Sequence, residues 1–314
     1  MEKASDLATL KATREVLDAF GLSAKYALGQ NFLVNDDVIK KILALAQVSS
    51  DDLILEVGPG IGTLTQALLK QGARVISVER DSDLPAVLAQ TCGQYADRFA
   101  LIEGDALNLT PEMLLKAEPG LSASFQSDPT KETGKFVANL PYGVAATLIL
   151  QYFEQLPIAS ATVMVQKEVA ERIAAVPGTK NYGAYTVKLR LYAQVVDKFL
   201  VKPSNFYPAP HVDSTVVRLD RRPLEWNGEV VDETLLKASA LMADAAFASR
   251  RKTLLNSCKT FFSGRNAAGK DVALKLGDIF ERASIEANRR GETLDTQEYV
   301  RLGAALLDIT EGRI

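Results

Sequence analysis

The sequence contains very few of the residues that build metal sites and covalent catalytic centres. Its 314 residues include one histidine, His211, and two cysteines, Cys92 and Cys258, which are far apart and in no metal-ligand spacing. A histidine-rich metal centre, or a serine–histidine–aspartate triad away from His211, is therefore excluded, and we expect no metal cofactor. Two isolated cysteines are typical of a protein from a reducing compartment, where thiols stay unpaired.

Long apolar runs are also missing. No stretch approaches the roughly 18 consecutive apolar residues of a membrane span. The first ten residues, MEKASDLATL, have neither the basic start nor the apolar core of a signal peptide. We therefore expect a cytoplasmic protein with no membrane partner. With 47% hydrophobic residues, the chain has enough apolar material for a full core and for two domains.

Charge is distributed unevenly along the chain, although the formal net charge is only −3. Between residues 247 and 275 the chain carries a single acidic residue, Asp271, against seven basic ones. The basic residues are Arg250, Arg251, Lys252, Lys259, Arg265, Lys270 and Lys275. A local basic excess on an acidic protein indicates a polyanionic partner, although solvated helix faces produce the same pattern.

Strand and helix patterns alternate through the first half of the chain. The strand patterns DLILEVG, RVISVE, FALIEGD, KFVANL and SATVMVQ alternate with helical patterns such as GTLTQALLKQG and ATLILQYFEQL. This order predicts an α/β fold with a Rossmann-like parallel sheet and helices on both faces. Helical spacing also predicts a helix over residues 4–20. After residue 183, AYTVKLRLYAQVVDKFLV and VDSTVVRL predict two strands paired as an antiparallel hairpin at the sheet edge.

A change in pattern near residue 221 predicts a second domain. Only helical patterns follow the segment RRPLEWNG. We therefore predict a catalytic domain over residues 1–220, with a helical extension over 1–27, and a small all-helical domain over 221–314. The serine- and proline-rich stretch 117–134 predicts a surface insertion with no core of its own.

A glycine-rich turn follows the first of the buried strands. The segment LILEVGPGIGTLT places Gly58, Gly60 and Gly62 between a strand and a helix. Glycine allows a ligand to approach the backbone closely, and the helix start supplies free N–H donors. Dinucleotide-binding proteins share this arrangement, and a tight turn without any ligand would show the same glycines.

Acidic residues at the next two strand ends narrow the choice of ligand. Glu79 ends the second strand, a position from which a carboxylate binds ribose hydroxyls. Asp105 ends the third strand, where it could accept a hydrogen bond from an adenine amine. Pro59 inside the turn departs from the glycine spacing that binds a pyrophosphate. A ligand with adenine and ribose but no phosphate fits these features, and S-adenosylmethionine is such a ligand.

The fourth strand ends in the segment NLPY, at the edge where open α/β sheets bind their ligands. The side-chain oxygen of Asn139 and the backbone carbonyl of Leu140 or Pro141 could accept both hydrogens of an adenine N6 amine. Pro141 stiffens the turn, and Tyr142 offers a ring for stacking on the base. Catalysis of this kind works by positioning and needs no strong base. A proline turn with a buried tyrosine is the simpler alternative.

Taken together, these motifs resemble the small-subunit ribosomal RNA adenine dimethyltransferases over nearly the whole chain. LGQNFL, EVGPGIGTLT, VER, GDAL, NLPY, NFYPAPHVDS and FASRRKTLLNS occur in that family's order. The resemblance implies an S-adenosylmethionine-dependent enzyme that acts on 16S rRNA in the assembling 30S subunit. There it would dimethylate the N6 amines of two adjacent adenosines in the 3′-terminal hairpin loop. We expect a monomer with no DNA partner.

The motifs and the resemblance together assign candidate roles to individual residues. The candidate cofactor contacts are Gln30, Asn31, Leu33, Gly58, Gly60, Glu79, Asp105 and Asn139. The candidate catalytic group is Asn139, Leu140, Pro141, Tyr142 and Phe206. In this group the resemblance implies that Phe206 stacks on the face of the target base opposite Tyr142. The candidate rRNA phosphate contacts are Lys167, Arg172, Arg250, Arg251 and Lys252.

Four positions depart from the family pattern, and two other functions stay open. The departures are Gly143, Lys202, His211 and Gly291, and they concern substrate contacts more than chemistry. The first alternative is adenine methylation in 23S rRNA, as in the macrolide-resistance enzymes, which share NLPY-like motifs. The second is a mainly non-catalytic assembly factor of the small subunit. A dehydrogenase is disfavoured, because no catalytic histidine or tyrosine–lysine pair accompanies the glycine turn.

Overall fold

A computed structural model describes residues 3–117, 134–265 and 267–312 of the chain. Residues 118–133, nearly all of the predicted insertion at 117–134, lie outside this description. The chain divides into two compact units. The first comprises Met1–Ala170 and Val195–Arg221, and the second comprises Glu171–Gln194 and Arg222–Ile314.

Helices and strands alternate in the first unit, as the sequence predicts. In chain order they are α1 (Leu10–Ala19), β1 (Phe32–Leu33), α2 (Asp36–Ala46), β2 (Leu53–Val57), α3 (Thr63–Lys70), β3 (Arg74–Glu79), α4 (Leu84–Thr91), β4 (Phe99–Glu103), α5 (Pro111–Ala117), β5 (Gly134–Asn139), α6 (Ala145–Gln155) and β6 (Ile158–Gln166). The next elements are α7 (Lys167–Ile173), α8 (Ala184–Arg190), β7 (Ala193–Val201), β8 (Phe206–Tyr207) and β9 (Ser214–Arg221). Helix α1 starts later than predicted, because the Thr9 hydroxyl caps it by accepting the backbone N–H of Ala12 at 3.1 Å.

Seven strands form one mixed sheet in the order β4-β3-β2-β5-β6-β9-β7. Strands β4, β3, β2, β5 and β6 run parallel, and β9 pairs antiparallel with β6. Central residues such as Ile54, Phe136 and Val163 are fully buried. The predicted Rossmann-like sheet is confirmed, and its parallel strands bring the ends of β2, β3, β4 and β5 to one edge.

One segment of the predicted edge hairpin is helical. Residues 184–190 form α8, and Thr186, Val187 and Leu189 are buried along it. The segment AYTVKLR is too short for its apolar spacing to distinguish a helix from a strand. Its burial against residues that are distant in sequence therefore decides its conformation. The following strand β7 does form, and it lies beside β9 at the sheet edge.

Helices dominate the second unit. A hairpin of two short strands, β10 (Glu225–Trp226) and β11 (Glu229–Val230), comes before its last five helices. These helices are α9 (Glu233–Phe247), α10 (Leu254–Ser263), α11 (Ala267–Leu274), α12 (Leu276–Arg282) and α13 (Thr296–Thr310). A capping box of Asp295 and Glu298 starts α13. A Cβ on Gly303 would lie 2.5 Å from the Ser239 hydroxyl oxygen, so only glycine allows α13 to pack this closely on α9.

Residues 171–194 belong to the second unit, although the sequence assigned them to a domain over 1–220. Tyr182 is fully buried, and its hydroxyl donates to the Leu294 carbonyl at 2.8 Å. Val187 packs in the same apolar cluster as Met242 and Leu302. These contacts join residues far apart in the chain, so composition gave no sign of them. The second break, between Arg221 and Arg222, lies one residue from the predicted boundary. Within the described residues, no helix is long and apolar enough to cross a bilayer.

Candidate active site

A cavity of about 740 Å³ lies at the carboxyl edge of the parallel strands in the first unit. Its lining includes the predicted cofactor residues Gln30, Asn31, Leu33, Gly58, Gly60, Glu79 and Asp105. It also includes Asn139, Leu140, Pro141 and Tyr142 from the predicted catalytic group. Segments more than a hundred residues apart converge here because successive parallel strands end at the same edge.

The glycine turn after β2 has the backbone conformation that only glycine adopts easily. Gly58, Gly60 and Gly62 have φ angles of +69°, +59° and +89°. A Cβ on Gly60 would lie 3.1 Å from the Phe32 ring. A side chain at this position would strain the turn and crowd the cavity, so the backbone remains open to a ligand. This is the feature that best fits a bound nucleoside-type cofactor.

The buried carboxyl group of Glu56 anchors this turn. Glu56 is 1% exposed, and its Oε2 accepts hydrogen bonds from the hydroxyls of Thr65 and Ser77, both at 2.7 Å. These bonds link β2, α3 and β3 directly behind the glycines. Burial raises the pKa of Glu56 to about 7, since the charged form loses its hydration.

We expect the Glu56→Gln variant to be less sensitive to pH in its stability than the wild type. The raised pKa means that folding favours the protonated form of Glu56, so this stabilisation is present below pH 4.5 and is lost as pH rises through about 7. The loss amounts to roughly 3 kcal/mol of unfolding free energy. Urea unfolding at about pH 5 and about pH 8 measures it. Glu103→Gln, at the exposed end of β4, is the control, and equal pH dependence in all three proteins would contradict the expectation.

Glu79 presents its carboxylate at the end of β3. The side chain is 8% exposed, and its Oε1 accepts the backbone N–H of Asp81 at 2.8 Å. Burial raises the pKa of this carboxyl group, and the backbone donor opposes the rise. The carboxylate is therefore held in one orientation at the cavity wall, as binding of a ribose would require.

A polar network fixes the segment before β1 against the end of β3. The Lys25 ammonium donates to Asp81 at 2.5 Å and to Asp83 at 2.6 Å. The Gln30 amide accepts the backbone N–H of Lys25 at 2.8 Å and donates to Asp81 at 2.7 Å. Gln30 therefore holds one wall of the cavity in place. Sequence reasoning missed Lys25 and Asp81, although the acidic run ERDSD was the available signal.

Asp105 is oriented by two contacts at the end of β4. Its Oδ1 accepts the backbone N–H of Leu107 at 3.0 Å, and its Oδ2 lies 3.5 Å from an Arg80 guanidinium nitrogen. Each carboxylate oxygen can accept more than one hydrogen bond, so Asp105 keeps acceptor capacity toward the cavity.

Asn139 and Tyr142 are each held by one specific hydrogen bond. The Asn139 Nδ2 donates to the Asn31 carbonyl at 3.1 Å, which directs the donor end of the amide to the protein. The acceptor Oδ1 is left for a ligand in the cavity. The Tyr142 hydroxyl lies 2.6 Å from the Ser214 hydroxyl, which fixes the ring, and burial raises the pKa of Tyr142.

Phe206 does not lie among the described residues that line the cavity. Its side chain is 4% exposed and packs in the apolar cluster that contains Leu33, Val201 and Val216. Strand β8 also pairs Phe206 with Leu33 of β1. This position does not support the stacking role that the resemblance implies. Its sequence neighbours 208–212 line the cavity instead, as does Gln166, and sequence reasoning assigned neither to the site.

The predicted phosphate contacts are exposed, but one of them is engaged within the protein. In the first unit, Lys167 is exposed at the start of α7. In the second unit, Arg172, Arg251 and Lys252 are exposed as well. The Arg250 guanidinium instead donates to the Glu292 carboxylate at 2.8 Å and to the Thr179 carbonyl at 3.1 Å.

Comparison with known proteins shows similarity over almost the whole chain. A protein from Shouchella clausii, named ribosomal RNA small subunit methyltransferase A, is 40% identical over 96% of this chain and 96% of its own. The crystal structure of a dimethyladenosine transferase from Plasmodium falciparum shares 25% identity and a TM-score of 0.68, covering 90% of this chain and 98% of that one. The 23S rRNA methyltransferase ErmE, at 23% identity and a TM-score of 0.58, covers 88% of this chain and 99% of its own and shows the same fold.

The sequence profile of the family described as ribosomal RNA adenine dimethylase matches residues 21–301. That range contains every cavity residue discussed above. The open glycine turn and the oriented carboxylates of Glu79 and Asp105 fit a cofactor with adenosine and no phosphate. The chain therefore belongs to the ribosomal RNA adenine dimethylase family of S-adenosylmethionine-dependent methyltransferases.

Proposed function

We propose that this enzyme dimethylates the N6 amines of two adjacent adenosines in the 3′-terminal hairpin loop of 16S rRNA. It acts as a cytoplasmic monomer on the assembling 30S subunit. The observation that carries the proposal is the orientation of the Asn139 amide, whose Nδ2 is bound by the Asn31 carbonyl. Its Oδ1 is thereby left as an acceptor, and Asn139 and Tyr142 both line the cavity, as recognition of an amine on an aromatic base requires.

The residues at the end of β5 position the adenine amine. Its nitrogen is a poor nucleophile because its lone pair is delocalised into the ring. Asn139 Oδ1 accepts one amine hydrogen, and the Leu140 carbonyl accepts the other. We choose Leu140 because the Pro141 carbonyl already accepts the backbone N–H of Val144 at 3.2 Å. Tyr142, fixed by Ser214, stacks on the base and sets its plane.

The cofactor would be held by other residues that line the same cavity. Gly58 and Gly60 leave room at the backbone, Glu79 accepts from the ribose hydroxyls, and Asp105 accepts from the adenine amine. Asn31 and Leu33 close the wall next to them. S-adenosylmethionine would supply the methyl group: the carbon–nitrogen bond forms as the carbon–sulfur bond breaks, a neutral thioether leaves, and the nitrogen releases a proton to water, so the protein needs no strong base.

The names of the relatives favour the small subunit as substrate. The Shouchella clausii relative, named for the small subunit, is 40% identical over nearly the full length of both chains. The enzyme named for 23S rRNA is 23% identical, a likeness that supports the fold alone.

The direct test is transfer of labelled methyl from S-adenosylmethionine to small subunits from cells that lack the endogenous dimethyltransferase. We expect dimethyladenosine at the two adjacent loop positions when the labelled nucleosides are mapped. Large subunits, assayed in parallel, should stay unlabelled. Label only on large-subunit RNA would contradict the proposal in favour of the 23S activity. Label on neither, with binding to small subunits retained, would favour a non-catalytic assembly factor.

We also propose that the second unit binds rRNA phosphates, and we expect Arg251 and Lys252 to contribute more than Arg250. Neutralising the first two as Arg251→Gln with Lys252→Gln should reduce the slope of log affinity against log salt by about 1.5, because each phosphate contact releases counterions. Arg250→Gln is the matched control. It should change the slope much less, since its charge is paired with Glu292. Sedimentation with small subunits over a salt series measures the slope for the wild type, the double variant and Arg250→Gln. Equal slopes in the three proteins would mean that the phosphate contacts are made by other residues.

A further inference from the structure

Tyr26 is unusually exposed for a large aromatic side chain at the rim of a cavity. The residue is 89% exposed, yet it contributes to the cavity lining. Among the described residues, its hydroxyl has no hydrogen-bond partner and its ring no aromatic or cationic neighbour. An aromatic surface of this size is normally covered, because leaving it in water forgoes its hydrophobic stabilisation. Its exposure at the mouth of a substrate cavity points to a contact made only in a complex.

The backbone that carries Tyr26 forms a turn closed by a hydrogen bond. The residue lies in a single turn, Tyr26–Leu28, in which the Gly29 N–H donates to the Tyr26 carbonyl at 2.9 Å. Gly29 closes the turn with a φ of +67°, in the left-handed region that favours glycine. The preceding Lys25 is tied to Asp81 and Asp83. Because these contacts already order the backbone, binding costs mainly the rotamer freedom of the ring.

We infer that the Tyr26 ring stacks on an unpaired nucleobase adjacent to the adenosine that enters the cavity. This inference rests on the proposed function and adds a second substrate contact to it. Single-stranded loops are recognised by stacking of bases on exposed aromatic rings, and the contact tolerates any base. The preceding residue, Lys25, is paired with two carboxylates, so its charge is not free for a phosphate.

A base of the RNA fits the exposure of Tyr26 better than the adenine of the cofactor does. A cofactor enclosed in the cavity would cover only the part of the ring that faces inward, and most of Tyr26 faces solvent. When one nucleotide of an RNA loop enters the cavity, the nucleotides next to it lie across the rim.

The test compares Tyr26→Ala, Tyr26→Phe and wild type in binding to small subunits from cells lacking the endogenous enzyme. Binding is measured by sedimentation without cofactor, and cofactor affinity separately by calorimetry. We expect Tyr26→Ala to weaken subunit binding by about tenfold with cofactor affinity unchanged. Tyr26→Phe, which keeps the ring, should bind as the wild type does. Leu200→Ala is the control for removing an exposed apolar side chain, because Leu200 lies in β7, outside the cavity lining.

Two outcomes would overturn the inference. Unchanged subunit binding by Tyr26→Ala would show that the ring touches no base. Weakened cofactor binding by Tyr26→Ala, with subunit binding intact, would assign the ring to the cofactor. Neither result affects the proposed function, which fails only if the wild type transfers no methyl to small subunits.

Discussion

The Asn139→Ala enzyme is expected to bind S-adenosylmethionine and small subunits, yet to transfer methyl groups at least about a hundredfold more slowly than the wild type. Removing one preorganised polar contact to the reacting group costs about this much in other active sites. Here the lost contact is the acceptor that orients the N6 amine. The effect should fall mainly on kcat, because positioning matters most in the transition state. Single-turnover methyl transfer with saturating cofactor measures it.

A control variant and a binding assay separate catalysis from other effects of the Asn139 substitution. Asn108→Ala removes an exposed asparagine after β4 that does not line the cavity, and it should keep wild-type activity. Asn139 is also a candidate cofactor contact, so cofactor affinity is measured in the same variant. If the Kd of the variant for S-adenosylmethionine rose by the same factor as its rate fell, Asn139 would be assigned to cofactor binding. Near-normal turnover would remove it from the site altogether.

The Phe206→Ala enzyme is expected to be less stable by roughly 3 kcal/mol, the usual cost of deleting a large buried ring. Phe206 is 4% exposed and packs with Leu33, Val201 and Val216, so alanine would leave a void where β8 meets β1. The loss of stability should therefore appear in the urea unfolding transition of the first unit. Cofactor binding should weaken as well, because Leu33 lines the cavity.

Tyr142→Ala is the matched control for Phe206→Ala. Tyr142 is half-buried at the cavity wall, with its hydroxyl bonded to Ser214. Its removal should lower methyl transfer much more than stability. Phe206→Leu should recover most of the lost stability, since it refills the void. If Phe206→Ala instead unfolded at the wild-type urea concentration and lost only activity, its ring would face the target base in the complex, as the family resemblance implies.

The location of the site followed from local sequence patterns. The strand patterns DLILEVG, RVISVE, FALIEGD and KFVANL predicted parallel strands, and parallel strands bring their carboxyl ends to one edge. The glycines of the turn were informative because their backbone conformation is one that other residues rarely adopt. Each of these signals lies within a few residues of the position that it predicts.

The sequence-based predictions were wrong or incomplete where the structure depends on contacts between segments that are distant in the chain. The run AYTVKLR suits strand or helix, and burial within the second unit made it helical. The acidic run after Glu79 is visible in the sequence, but only folding brings Asp81 to Lys25 and Gln30, which lie more than fifty residues away.

The sequence by itself determined the fold class, the cavity edge and most of the predicted residues that meet there, because motif spacing and the order of strand patterns along the chain are read locally. Only the tertiary structure decided which of the side chains are available to a ligand. It buried Phe206, paired Arg250 with Glu292 and left Tyr26 exposed. Exposure and pairing depend on which surfaces come together on folding, and residues far apart in the chain supply those surfaces.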